Sequence, residues 1–344
     1  MITATVDRGA ADRLRAAVPD RIEGHPVGNT DNRMYFADGS LIYAGGYRHD
    51  GNFGVHTHSF MEIAFAVAGR GTHHASVGRQ DMRRGDVVLL RPGVWHGYEA
   101  CSQLDLINCC ISMEILRSEL SWMRHDPILS YLLWTGPHAQ QRRGMLTVTL
   151  PPPVLDECLG HLQALDELRS RPATRYRADT LARLSLVLAA LARAVVDADD
   201  AGYEPTGPTH PSVVEAMKLL ERDVARRWTL DELAEVLHLA PGYLVRLFKA
   251  ATGLPPIAYL SRQRMETAAA MLLYTDEPIS HIADAIGWPD QNYFARRFKA
   301  HFGLPASVYR DRFRHDGGQL RTHRQLTAPR PHGHPALREL TALS

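Results

Sequence analysis

The chain has 344 residues, room for two or three cores at roughly 100–200 residues per domain. Hydrophobic residues make up 45% and charged residues 22%, a balance ordinary for globular protein and unlike that of a disordered chain. The net charge of +1 excludes a uniformly basic protein but not a local basic face, because nucleic-acid affinity depends on where charge sits.

Met1 to Leu14 carries several charges and no apolar run, so no secretory signal is expected. No apolar stretch is long and uncharged enough to span a bilayer, so no membrane partner is expected. Cys101, Cys109, Cys110 and Cys158 show no CxxC pairing and fit reduced thiols. A cytoplasmic protein is the simplest expectation.

From about Asn32 to Ser112, short apolar runs such as Ile63–Val67, Asp86–Leu90 and Leu104–Ile107 alternate with glycine-rich turns. This spacing predicts a small antiparallel barrel or sandwich within residues 1–150. The stretch from Met113 to Leu133 reads as helical. After Pro151-Pro152-Pro153 the period changes. Val154, Cys158, Leu162, Leu165 and Leu168 predict one amphipathic helix, and Leu181, Leu184, Leu188, Leu191 and Val195 a second. These helices, in 151–196, are expected to pack on the barrel or on each other, and the second stripe is also heptad-like enough for a homodimer seam. Residues 197–212 form a linker by composition, 213–314 a helical domain, and 315–344 a tail rich in Gly, Pro, His and Arg.

The helical domain repeats itself. Tyr243-Leu-Val-Arg246-Leu-Phe248-Lys249-Ala250 followed by Gly253-Leu254-Pro255 returns as Tyr293-Phe-Ala-Arg296-Arg-Phe298-Lys299-Ala300 followed by Gly303-Leu304-Pro305. Each copy follows a short helix-like run, Leu230–Leu237 or Ile279–Ile286. In the first copy Thr229 and Glu232 have capping-box spacing, and His238 to Gly242 breaks the chain before a second helix that starts near Pro241. In the second copy Gly287-Trp288-Pro289-Asp290 is the turn. Helical spacing buries Leu244, Leu247 and Phe248, and Phe294 and Phe298. It leaves Gly242, Val245, Arg246 and Lys249 outward in one copy, and Gln291, Asn292, Ala295, Arg296 and Lys299 in the other. Asn or Gln can pair with adenine and Arg with guanine, while lysines position the protein on phosphates. Pro256 to Leu273 reads as one helix of roughly 27 Å, a rod that can hold two readers near the spacing of about 34 Å between successive major grooves. A plain helical bundle accounts for one such unit but not for basic residues retained at one register in two.

On these residues, and on Arg264, Ile282-Ala283, Gly287, Tyr293-Phe294, Pro305 and Tyr309-Arg310, the segment 213–314 resembles the C-terminal DNA-binding domain of the AraC/XylS family of transcription regulators. Trp288 departs from the Phe or Tyr common after that glycine and is expected to serve as core. The resemblance implies that the outward residues of the two second helices contact bases in double-stranded promoter DNA. It also implies RNA polymerase as a partner. Gly242 offers no side chain, so the first reader is expected to discriminate less than the second.

The other chemical signal is His56-Thr57-His58 with Glu62, then Pro92-Gly93-Val94-Trp95-His96. Alternate strand residues share a face, so His56, His58 and Glu62 point together if the strand runs unbroken. With His96 they form a set suited to Zn, Ni, Fe or Mn. The pattern resembles the two-part cupin motif, which in this family marks the effector-binding barrel. The fold expected is therefore α+β multidomain: an N-terminal cupin-like antiparallel β-barrel, a helical dimerisation region and a C-terminal all-α double helix-turn-helix domain. His56, His58, Glu62 and His96 are candidates for a small-molecule effector pocket, with a divalent metal or as metal-free polar groups. Of His73 and His74 at most one can line that pocket, and His25 and His49 are expected in solvent. The leading expectation is a ligand-responsive transcription regulator that is not an enzyme, with coupling through residues 154–196. The alternative is a metal-dependent cupin enzyme fused to a DNA-binding domain.

Overall fold

The structure, a computed structural model, describes residues 28–30, 36, 40–138, 142–169, 171–172, 175–198 and 209–314. The composition-defined linker largely, and the tail entirely, lie outside the described residues, as does His25.

Among the described residues seven strands form the N-terminal sheet: β1 Gly28–Thr30, β2 Ile42–His58, β3 Met61–Ala75, β4 Gly78–Arg83, β5 Asp86–Leu90, β6 His96–Ile111 and β7 Met145–Thr149. Their order is β1-β2-β6-β3-β5-β7 with β4 on β3, and every pairing is antiparallel except β1 with β2. Register shifts interrupt the β2–β6 and β3–β6 ladders. Such bulges bend long strands and raise their twist, so the sheet curls around its inner face. At Gly69, φ is +70° and a Cβ would sit 1.9 Å from the Gln103 carbonyl oxygen, so this bend requires glycine.

Both faces of the sheet are buried. Ile63, Phe65, Val67, Val87, Leu89, Ile107 and Ile111 face outward into a core shared with two helices, α3 (Pro152–Leu168) and α4 (Arg177–Ala198). Before them come α1 (Met113–Arg117) and α2 (Pro127–Ser130). The predicted helices at 154–168 and 181–195 are therefore present. Leu184, Leu188, Leu191 and Val195 are buried in this intramolecular core. The heptad-like stripe is thus consumed within the chain, and a seam along α4 is left with its other face, where Leu186 is 47% exposed.

The C-terminal domain comprises α5 (Pro211–Arg222), α6 (Leu230–Val236), α7 (Pro241–Thr252), α8 (Pro256–Tyr274), α9 (Ile279–Ala285), α10 (Gln291–Phe302) and α11 (Ala306–Phe313). Its first helix starts two residues before the predicted domain boundary. Thr229 and Glu232 form the reciprocal capping box that the sequence predicts. The duplication extends to backbone geometry. Gly253 and Gly303 both stop their helices at φ +70° and +77°, returning N–H groups to the carbonyls of Lys249 and Lys299.

The two copies share different cores. Leu233, Leu244, Phe248, Tyr259 and Leu260 join the core of sheet and helices. Met265, Leu272, Ile282, Phe294, Phe298, Phe302, Tyr309 and Phe313 form a second core that also contains Val55 and Trp95 of the sheet. The barrel and the second copy are thus packed through a common apolar interior.

Candidate functional site: a buried histidine pocket and two exposed reading helices

The pocket lies where β2, β3 and β6 meet. The registers place His56 opposite His96 and His73 opposite Tyr98. Contrary to the unbroken-strand expectation, Ser59 and Phe60 turn the chain between β2 and β3, and Glu62 reaches the site from β3. Strand alternation alone cannot report such a turn. The four predicted residues are nevertheless together: the His56 and His96 rings are 4.2 Å apart and the His58 and His96 rings 5.3 Å. Glu62 lies between two imidazoles, 3.7 Å from His58 Nε2 and 3.5 Å from His96 Nε2.

Burial pushes the imidazoles of His56, His58 and His96 down to about 3, because the charged form loses its hydration. His58 Nδ1 lies 2.8 Å from the Phe60 carbonyl and His56 Nδ1 3.2 Å from that of Gly54. A carbonyl only accepts, so each ring carries its proton on Nδ1 and leaves Nε2 as a lone pair. Among the described residues His58 Nε2, Glu62 Oε1 and both His96 nitrogens are buried without a hydrogen-bond partner. Buried polar atoms in that state cost free energy unless a ligand satisfies them.

One ligand atom each from His58, Glu62 and His96 falls within 4.8 Å of the others. Ligands held about 2.1 Å from a tetrahedral ion lie roughly 3.4 Å apart, close to the Glu62 separations. Backbone carbonyls orienting the Nδ1 protons are the usual outer support of a ligating histidine. The residues therefore fit a divalent cation. His56 stands beside this trio rather than within it.

Of His73 and His74 the sequence allows at most one in the wall, and Tyr98 and His49 are not among the expected pocket residues. His73, 5.6 Å from the His96 ring and 5.2 Å from that of Tyr98, lines the pocket, and His74 turns away to Trp95. His73 Nδ1 and Nε2 and Tyr98 Oη are further orphaned polar atoms. His49 is not in solvent: it stacks on Tyr98 at 5.3 Å, and burial lowers it to about 4. The signal available for these residues was period-two spacing, His73 with Gly71 and Tyr98 with His96, which becomes decisive only once the pairing is known.

The second helices of the two copies are α7 and α10. Gly242, Arg246, Lys249, Gln291, Asn292, Ala295, Arg296 and Lys299 are exposed, Val245 is half-buried, and Leu244, Phe248, Phe294 and Phe298 face inward. Among the described residues, Arg246, Lys249, Arg296 and Lys299 have no carboxylate partner. Asp290 caps α10, accepting from the N–H groups of Asn292 and Tyr293, which fixes the first turn that carries Gln291 and Asn292. Trp288 is buried against Tyr293, as its aromatic character predicts. Arg264 in α8 donates to the carbonyls of Val224 and Arg226, fastening the connecting rod to the segment preceding the first copy.

Between pocket and readers lies a buried polar seam. Arg91 donates to both Glu266 oxygens at 2.8 and 2.7 Å and to the Leu133 carbonyl, while His138 Nε2 lies 3.1 Å from Glu266. Burial raises the Glu266 carboxyl, but the Arg91 charge and the bonds from His138 and Arg91 outweigh it and hold the group ionised well below the usual range. Arg124 pairs with Glu221 of α5 in the same two-pronged way.

A duplicated helix-turn-helix domain with free basic and amide faces, joined to a curled β-domain with a buried polar pocket, defines a ligand-binding DNA-binding protein. Residues 39–203 match the AraC-like ligand binding domain family, and residues 233–312 match a helix-turn-helix domain family. The chain belongs to the AraC family: it is an AraC-type DNA-binding transcription regulator with an N-terminal ligand-binding domain. It is 28% identical over 268 residues to the HTH-type transcriptional activator RhaR of Pectobacterium carotovorum subsp. carotovorum (strain PC1), covering 76% of this chain and 87% of that protein. The C-terminal domain of AraT, a response regulator from Geobacillus stearothermophilus, is 34% identical, covers 31% of this chain and 90% of its own, and gives a TM-score of 0.31. ToxT from Vibrio cholerae is 13% identical, with 80% of this chain and 99% of that chain covered and a TM-score of 0.46. No helix among the described residues is long and apolar enough to cross a membrane.

Proposed function

We propose that this regulator reads promoter DNA with the outward faces of α7 and α10 and binds its small-molecule effector at His56, His58, Glu62 and His96. The observation that carries the DNA reading is the pair of duplicated helices whose basic and amide side chains are exposed and free of carboxylates. The assigned contacts are Gly242, Val245, Arg246 and Lys249 in the first reader and Gln291, Asn292, Arg296 and Lys299 in the second. The protein regulates rather than catalyses. It acts in the cytoplasm as a homodimer and recruits RNA polymerase, in keeping with relatives named as activators.

The test is selection of bound duplexes from a random DNA pool with the full chain, followed by Arg296→Ala and Lys299→Ala. Arg296→Ala is expected to relax preference at one or two base pairs, at about 1–3 kcal/mol, while Lys299→Ala weakens all sequences alike and lowers the salt slope by about 1. Equal losses on every sequence for both variants overturn the assignment of roles.

A divalent cation in the pocket is the finer reading, favoured by the orphaned Nε2 atoms and the Glu62 geometry. When bound, it supplies a positive anchor for an effector's oxygen atoms. Elemental analysis of tag-free protein is expected to give one metal per chain, lost in His58→Ala and Glu62→Ala. A metal-free protein that still binds effector assigns the same residues a purely hydrogen-bonding role.

A further inference from the structure

The wall of the pocket is also the surface on which the second reader rests. His56 and His58 face the pocket, and Thr57 between them points out of the opposite face of β2. There its hydroxyl lies 3.3 Å from the Val94 carbonyl and 3.2 Å from the Tyr309 hydroxyl of α11. Tyr309 Oη in turn donates to the Gly93 carbonyl at 2.8 Å. Trp95, next to His96, donates its indole N–H to the Phe302 carbonyl at 2.7 Å. That carbonyl is one of the last four of α10, which have no partner within the helix, so a barrel residue caps the C-terminal end of the second reading helix. Gly93 approaches so closely that a Cβ there would lie 2.7 Å from that of Ala269.

The contacts are selective. Segment 91–96, Val55 and Thr57 meet α8, α10 and α11, the elements of the second copy and its rod. The first copy is held elsewhere, by Arg124 on Glu221 with Tyr259 beside it, and by the core it shares with the sheet and its helices. Packed interiors transmit small displacements instead of absorbing them, and Thr57 and Trp95 are one residue away from three of the four pocket side chains.

We infer that Trp95 and Tyr309 are positioning residues through which the state of the pocket sets the second reader and not the first. The inference rests on the pocket reading above and concerns its regulation. An effector that favours one arrangement of β2 and segment 91–96 shifts the orientation of α10, so its influence falls on the half-site that α10 reads. Coupling does not require a change in the α3–α4 helices.

The experiment is quantitative footprinting of the full chain on its selected DNA, reading the two half-sites separately. Glu62→Gln perturbs the pocket without touching the DNA-binding domain. Trp95→Phe with Tyr309→Phe removes the bonds to the Phe302 and Gly93 carbonyls together with the Thr57–Tyr309 contact, and leaves an aromatic ring at both positions. Glu62→Gln is expected to change occupancy of the α10 half-site by roughly five-fold or more and that of the α7 half-site by little. In the Trp95→Phe/Tyr309→Phe background the same substitution is expected to change neither. Equal changes at both half-sites, a change that survives in the double variant, or no change in either background each overturns the inference. Hydrogen exchange of α10 in the full-length Trp95→Phe/Tyr309→Phe protein gives a second readout: faster exchange confined to α10 and α11 is expected, and a global increase counts against a positioning role. Zn2+ binding to the wild-type chain, measured separately against Glu62→Gln, reports on the pocket reading itself, so failure of that reading is distinguishable from failure of the coupling.

Discussion

At the scale of single residues, burial decides which charges are structural and which are available. Arg91 and Glu266 are nearly solvent-free and bound to each other by two charge-assisted bonds, whereas Arg246 and Arg296 stand exposed. A buried pair returns little net stability, but removing one partner strands the other charge at a cost of about 3–5 kcal/mol. Glu266→Gln is therefore expected to destabilise the full chain by an amount in that range, read as a lower urea midpoint. A change below about 1 kcal/mol would show that water reaches Arg91. Gln at 266 keeps a single oxygen acceptor, so it cannot accept both prongs of Arg91 and face His138 as the carboxylate does.

At the scale of elements, the duplicated units use the same backbone device with different residues. The second residue after each first helix is left-handed, His238 at φ +55° and Gly287 at φ +81°. The following N–H groups return to Ala234 and Ala283. Only the second position is sterically closed, since a Cβ on Gly287 would lie 2.2 Å from the Ala225 carbonyl oxygen. Gly287→Ala is expected to cost at least 1–3 kcal/mol, the range for overpacking, and to shift the Trp288 fluorescence that reports this turn. His238→Gly, in an open turn, is expected to be neutral or slightly stabilising, because it relieves a non-glycine left-handed conformation. Thermal melts of the two variants check the contrast.

At the scale of the whole molecule, the barrel and the second reader are one packed body, and this has a pH consequence. His138 and His301 are buried at the seam, and burial lowers both imidazoles below their ordinary value of 6.5. Arg262 donates to His301 Nδ1 and Arg91 shares Glu266 with His138, so the surroundings add cations as well as the one carboxylate. Released histidines take up protons below about pH 6.5 while docked ones stay neutral. The undocked or unfolded state therefore binds more protons, and stability falls as pH drops through 6.5 toward the depressed folded values. The urea midpoint is expected to be lower at pH 5.5 than at 7.5, and His301→Gln is expected to reduce that difference. A midpoint indifferent to pH counts against buried neutral histidines. The same packing explains why a fragment lacking the barrel is a different object from the domain within the chain: it exposes Phe302 and Tyr309 and leaves Glu266 without Arg91.

The sequence by itself determined the elements and the chemistry they carry. The repeat at 243–255 and 293–305 specified the two outward faces because helical periodicity sorts Phe248 and Phe298 inward and Arg246 and Arg296 outward without reference to any other part of the chain. The candidate pocket residues were legible because His56, His58, Glu62 and His96 have few other reasons to interrupt apolar strands. What only the tertiary structure decided is which faces meet. The leucines of α4 suit a dimer seam and an intramolecular core equally well, and only the packed sheet shows that they are spent inside. His49 and His73 join the pocket because of strand register, and Trp95, Glu266 and Tyr309 join barrel to reader across long sequence separations. Periodicity records that a face is buried but not by what, so the physical link between pocket and DNA reader became visible only in three dimensions.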